Sequence, residues 1–147
     1  MTNIEREVIE TRLGLIIKYI ERLKRFESVS LDDYINDFDK QLIAERLLQL
    51  MVEAATDINT YLLVRLYQDP SQTYVDSFIQ AGRKGIITSE LAEQIAQSGG
   101  LRNILVHRYI VIDSTRVFAA IGVAVQQYSL YLQQINLYQD SLEVEHG

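Results

Sequence analysis

A single proline, Pro70, stands in a chain of 147 residues. Proline breaks helix interiors and is kept out of central strands, so the stretches on either side of it are free to run as long, uninterrupted helices. The apolar spacing uses that freedom. Ile9, Leu13, Ile16, Ile20 and Leu23 recur at intervals of 4-3-4-3, the seam of a bundle helix, which predicts a first helix over residues 3 to about 26. A stricter seam, Phe118, Ile121, Val125, Tyr128, Leu132 and Ile135, predicts a last helix from an N-cap at Asp113 to about Tyr138. Ala119, Ala120, Gly122 and Ala124 lie beside that seam and allow tight helix contact.

The middle of the chain is punctuated by caps. Ser30, with Asp33 three residues on, is a capping-box-like start for a helical turn or two over 31–37. A long helix follows over about 39–68, with Ile43, Leu47, Leu50, Met51, Ala54, Ile58, Tyr61 and Leu62 as its core face. Glu45, Gln49, Glu53 and Asp57 repeat every four residues and read as a solvated stripe. Asp69-Pro70-Ser71 stops that helix. Residues 73–81 form a short helix, Gly82-Arg83-Lys84-Gly85 a turn, and Thr88 an N-cap. The pair Gly99-Gly100 costs about 2 kcal/mol in a helix interior; we place it inside one helix, where another backbone comes close. No segment shows strand periodicity and none repeats. The expected fold is all-α, an antiparallel four- to five-helix bundle, with a bundle domain over residues 1–138 and a flexible C-terminal tail over 139–147.

Composition narrows the chemistry. There is no cysteine and only two histidines, so neither a disulfide framework nor a zinc cluster is available. The N-terminus lacks a signal-peptide layout and no apolar run is long enough to span a bilayer, which fits a cytoplasmic setting. The net charge is -6, unfavourable for general nucleic-acid binding. The basic end of the first helix, Lys18, Arg22, Lys24 and Arg25, suits a helix C-terminus and reads as solvated.

What remains is one decapeptide, Leu101-Arg-Asn-Ile-Leu-Val-His-Arg-Tyr-Ile110. Asn103 lies four residues before His107, close enough on a helix to fix its ring. Arg102 and His107 are about 140° apart around an ideal helix, so they converge either at a helix end or across a second copy of the same helix. An arginine, a histidine, an asparagine and a tyrosine suit RNA cleavage by the RNA's own 2′-hydroxyl. Imidazole exchanges protons near neutral pH, and guanidinium meets charge on a phosphate. No metal, cofactor or protein nucleophile is required. Each residue also has a plainer reading. His107 can be an interface histidine bonded to Asn103, Arg102 can pair with an acid across the bundle, and Tyr109 can be core-edge packing.

Arg102-Asn103-x3-His107-Arg108-Tyr109 resembles the R-x4-H-x-Y motif of the HEPN-domain ribonucleases. It is most similar to the HepT-like toxins of MntA–HepT (type VII) toxin–antitoxin systems, over residues 1 to about 138. The resemblance implies a symmetric homodimer with a composite cleft, acting as a metal-independent endoribonuclease with Arg102 and His107 as catalytic residues and Asn103 in support. It further implies a nucleotidyltransferase antitoxin that transfers AMP from ATP to Tyr109, adding bulk and negative charge beside the cleft. RNA affinity in so acidic a chain would depend on Arg102 and Arg108, with Arg83 and Lys84. A non-catalytic HEPN module that assists a nucleotidyltransferase, or a dimeric helical adaptor, are the competing functions.

Overall fold

The computed structural model describes residues 4–107 and 111–146, the side chains of 144–146 apart. Among them are six α-helices and no strand: α1, Arg6–Leu23; α2, Leu31–Ile35; α3, Phe38–Tyr67; α4, Tyr74–Arg83; α5, Ser89–Val106; and α6, Ser114–His146. A 3-10 turn, Lys24–Ser28, follows α1. Two of the six are short, so the expected all-α bundle is what the chain forms. No helix among the described residues is long and apolar enough to cross a membrane.

The helices begin where short polar side chains can satisfy the orphan N–H groups of a first turn. Ser30 accepts from the N–H of Asp33, Asp37 from Lys40, Thr73 from Asp76 and Thr88 from Leu91. Asp113 Oδ1 accepts from the N–H groups of Thr115 and Arg116 at the start of α6. α3 ends at Gln68, which takes a left-handed conformation with φ 53°, two residues before Pro70.

α3 is the central post. α1, α2, α4, α5 and α6 all pack against it, while α1, α2 and α5 also touch α6. All five seam residues of α1 are buried. On α3 Met51, Ala54, Ile58 and Leu62 of the expected face are buried, but over the first turns the buried face is turned by about one residue from the expected one. Ala44, Leu48, Met51, Ala55, Ile58 and Leu62 are buried, whereas Leu47 and Leu50 are half-buried and Ile43 is 38% exposed. A helix packed on several sides is apolar on more than one face, so apolar letters alone do not centre its seam.

α6 shows a similar turn. Val117, Ile121, Ala124, Tyr128, Tyr131 and Ile135 form its buried row, and Phe118, Val125 and Leu132 sit at the core's edge. Tyr131 can go inward because its hydroxyl finds partners there. It donates to Asn59 Oδ1 at 2.6 Å and Ala55 O at 3.0 Å, and Asn59 Nδ2 donates to Ser77 Oγ at 3.3 Å. This buried polar chain ties α3, α4 and α6 together.

One boundary differs from the sequence reading. α6 runs on to His146, so residues 139–146 continue the helix where a flexible tail was expected. Arg6 at the start of α1 pairs with Glu143 and, at 3.8 Å, with Asp140, and these cross-links support the extra turns.

Candidate functional site

α4 and α5 form an antiparallel hairpin whose two glycine contacts set its closeness. At the turn end, a Cβ on Gly82 would lie 2.5 Å from the Cβ of Ala92. At the other end, a Cβ on Gly99 would lie 2.9 Å from the N of Val75 and 3.1 Å from two atoms of Tyr74. α5 runs unbroken through Gly99-Gly100, and the close neighbour expected there is the first turn of α4. The requirement belongs to Gly99 alone, since a Cβ on Gly100 would meet nothing within 4 Å.

That approach places the Tyr74 ring beneath Arg102, three residues further along α5. The Arg102 Cζ lies 4.2 Å from the ring centroid, within cation–π range. From α3, Glu53 Oε2 accepts from Arg102 Nε at 3.1 Å and from Nη2 at 2.9 Å. Gln49 Nε2 donates to the same oxygen at 3.1 Å. Partial burial pushes the Glu53 carboxyl up, but hydrogen bonds from Arg102 and Gln49 outweigh it and hold the carboxyl below its ordinary value. The Arg102 side chain is 18% exposed and that of Glu53 30%. Arg102 therefore does pair with an acid across the bundle, and the stripe that carries Glu53 is not a purely solvated one. Asp57, on the same stripe, pairs with Arg12 at 3.4 Å.

His107 stands at the end of α5 as its C-cap, exposed, with φ -82° and ψ 86°. Its N–H donates to the carbonyl of Asn103 at 3.2 Å, so Asn103 reaches His107 through the main chain. Arg102 faces α3 and α4 from within the last turns, while His107 sits where the helix stops. Arg108 and Tyr109 lie outside the described residues.

Arg83 and Lys84 are not brought to this end. Arg83 is the last residue of α4 and Lys84 its C-cap, both exposed. α4 separates them from Tyr74 by about 14 Å of helical rise. Lys84 Nζ lies 5.6 Å from the Tyr67 ring centroid.

A groove of about 270 Å³ opens beside Arg102 between α3, α5 and α6. Leu48, Met51, Leu105 and Val123 give it an apolar floor, and Arg102 and Arg116 give it cationic sides. Among the described residues, no group of three or more His, Cys, Asp or Glu is placed to hold a metal ion. Tyr74 and Glu53 are the site residues that the sequence did not single out. The only signal was the four-residue spacing that put Glu53 on one polar line.

Comparison with known proteins follows the same lines. The family described as "Ribonuclease HepT-like" matches residues 16–135. The tRNA nuclease HepT of Aphanizomenon flos-aquae is 55% identical over 146 residues, covering 99% of each chain. Tri-AMPylated Shewanella oneidensis HEPN toxin, solved in complex with MNT antitoxin, superposes with a TM-score of 0.80 at 24% identity, covering 88% of this chain and 97% of that one. A toxin–antitoxin structure with AMP-PNP gives a TM-score of 0.81 at 23% identity, covering 89% and 98%. At these identities the two structures speak to the fold.

Proposed function

The chain belongs to the Ribonuclease HepT-like family, and on that premise we propose that it is the toxin of a toxin–antitoxin pair, an endoribonuclease that cleaves tRNA in the cytoplasm as a symmetric homodimer. The observation that carries this reading is the 55% identity to a tRNA nuclease along 99% of both chains. The Arg102–His107 segment at the end of α5 is where the chemistry is assigned.

The 2′-oxygen of the RNA attacks the adjacent phosphorus, and the bond from phosphorus to the 5′-oxygen breaks. The products are a 2′,3′-cyclic phosphate and a 5′-hydroxyl. One group takes the 2′-proton and another delivers a proton to the leaving oxygen, which is general acid–base work suited to imidazole. Arg102 neutralises charge on the phosphoryl oxygens. No cofactor enters these steps. Asn103 supports His107 by holding the last turn of α5.

A second copy supplies what one α5 lacks. Arg102 faces inward toward α3 while His107 sits at the helix end, and a two-fold axis beside these ends brings two of each into one cleft. The exposed small face of α6 at Ala119, Gly122 and Val123, which the monomer leaves uncovered, suits that contact.

Regulation is assigned to Tyr109, two residues past His107. An MntA-like nucleotidyltransferase antitoxin transfers AMP from ATP to its hydroxyl and releases pyrophosphate. The added phosphodiester repels RNA phosphate from the cleft. The structural neighbour described as a tri-AMPylated toxin with its antitoxin supports this assignment. Arg108 contacts RNA near the cleft, and Arg83 and Lys84 contact it at a distance.

The test is cleavage of tRNA in EDTA by protein shown by intact mass to be unmodified. Cyclic-phosphate ends, lost in His107→Ala and Arg102→Ala, are the expected result. Failure to cleave would favour the non-catalytic partner module. For regulation, incubation with antitoxin and ATP should raise the mass by whole AMP units, and Tyr109→Phe should block the rise.

A further inference from the structure

The guanidinium of Arg102 is held on two sides by groups that have no part in the reaction outlined above. Two of its N–H groups, on Nε and Nη2, point to one oxygen of Glu53. The ring of Tyr74 lies against its face at 4.2 Å. The carboxylate grips the side edge of the planar group. The end edge, formed by Nη1 and the second N–H of Nη2, is the other face of the fork and matches two phosphate oxygens.

From this geometry we infer that Glu53 is a positioning residue, which with Tyr74 locks Arg102 so that its end edge is aimed at the scissile phosphate. The inference deepens the functional reading above and rests on Arg102 as the phosphate-binding cation. An arginine side chain has many rotamers, and fixing it before substrate arrives removes an ordering cost from the reaction. Glu53 is itself held: Gln49, one turn earlier on α3, donates to the same oxygen. Gly99 completes the device, because only a residue without Cβ lets the first turn of α4 bring Tyr74 this near. Its bonds to Arg102 and Gln49 outweigh its burial and hold the carboxyl below its ordinary value, which favours the ionised form.

The same contact has an opposite use. A carboxylate can hold an arginine away from RNA and release it only when phosphate competes. The two roles predict opposite signs, so kinetics separate them. Steady-state cleavage of tRNA is compared for wild type, Glu53→Ala, Glu53→Gln, Arg102→Ala and the Glu53→Ala/Arg102→Ala double variant, with melting temperature measured on each. Positioning predicts that Glu53→Ala lowers kcat about 100-fold, the scale of a misplaced reacting group, with KM changed less than threefold. Glu53→Gln keeps an accepting oxygen and loses only about tenfold. The double variant is no slower than Arg102→Ala, because Glu53 acts through Arg102. Wild-type or faster cleavage by Glu53→Ala and Glu53→Gln would overturn the inference. So would a double variant slower than Arg102→Ala by the full Glu53 factor. If Arg102→Ala itself cleaves like wild type, the reading of Arg102 fails first, and that arm tells the two failures apart.

Discussion

The α4–α5 hairpin carries cations at both ends, and the two ends are built differently. At one end Arg102 is 18% exposed, bonded to Glu53 and stacked on Tyr74. At the other, Arg83 and Lys84 stand exposed around the turn, with Lys84 only loosely over the Tyr67 ring at 5.6 Å. The first end commits a half-buried carboxylate and a tyrosine ring to its cation, whereas at the second the close approach of Gly82 to Ala92 packs the hairpin and leaves Arg83 and Lys84 exposed. A cation that stabilises charge at a reacting centre must be in place before the reaction. A cation that draws RNA by its field works from a flexible stem. On the function proposed above, chemistry belongs to the first end and steering to the second.

The sharpest way to break that contrast is to truncate each end. Arg102→Ala removes a preorganised donor, and kcat for tRNA cleavage should fall about 1,000-fold. The fold should survive, because the pair it leaves is partly exposed and Glu53 can reach water. Residual activity near wild type would remove Arg102 from the reaction.

The neighbouring glycines offer the next test. Gly99→Ala puts a methyl 2.9 Å from the N of Val75. Such overpacking costs about 1–3 kcal/mol, and it should lower kcat as well by pushing Tyr74 from beneath Arg102. Gly100→Ala meets nothing within 4 Å and should stabilise α5 by up to about 1 kcal/mol, with activity unchanged. Urea unfolding and cleavage rates read both. Equal behaviour of the two variants would show that the hairpin's close approach does not matter.

A smaller effect follows from the Glu53 carboxyl. Its folded value lies below the ordinary 4.5, so the contact adds stability that is complete above that value. The contribution is lost as pH falls through the lower folded value. Wild type should therefore exceed Glu53→Gln in urea midpoint near neutral pH, and the gap should close in acid. A gap that does not change with pH would mean that the charge on Glu53 is not what holds Arg102.

These effects also show what a chain reveals before it folds. The α1 seam was legible in full, because only Ile9 through Leu23 keep a regular 4-3-4-3 spacing there, while Leu15 and Ile17 fall outside it and are exposed. So were the caps at Ser30 and Thr88, which depend on atoms three residues apart. The close approach at Gly99 was legible as a cost that needed a reason. The seams of α3 and α6 were each read off centre. α3 is packed on several sides, and Tyr131 buries its hydroxyl on Asn59 and Ala55, partners that lie more than 70 positions away. Residues 139–146 read as a tail because their polarity hid the ties from Arg6 to Asp140 and Glu143. At the site, Arg102 and His107 were visible as residue types at a spacing. Glu53 and Tyr74 were not, because what selects them is a fold-level meeting of α3, α4 and α5 with no local signature.

The smallest effect belongs to the open end of the hairpin. Arg83→Ala with Lys84→Ala removes two exposed cations from a chain whose net charge is already -6. Association with RNA should weaken at low salt, with KM rising a few-fold and kcat unchanged, since neither side chain is aimed at the reacting phosphate. The salt dependence carries the argument. Each cation that touches a phosphate adds roughly one to the slope of log affinity against log salt, so the double variant should show a shallower slope than wild type. At high salt, where screening shortens the reach of exposed charges to a few ångströms, the two proteins should converge. A loss of kcat in this variant would erase the distinction between the two ends. An unchanged slope would keep the distinction but show that RNA passes the bundle on another face.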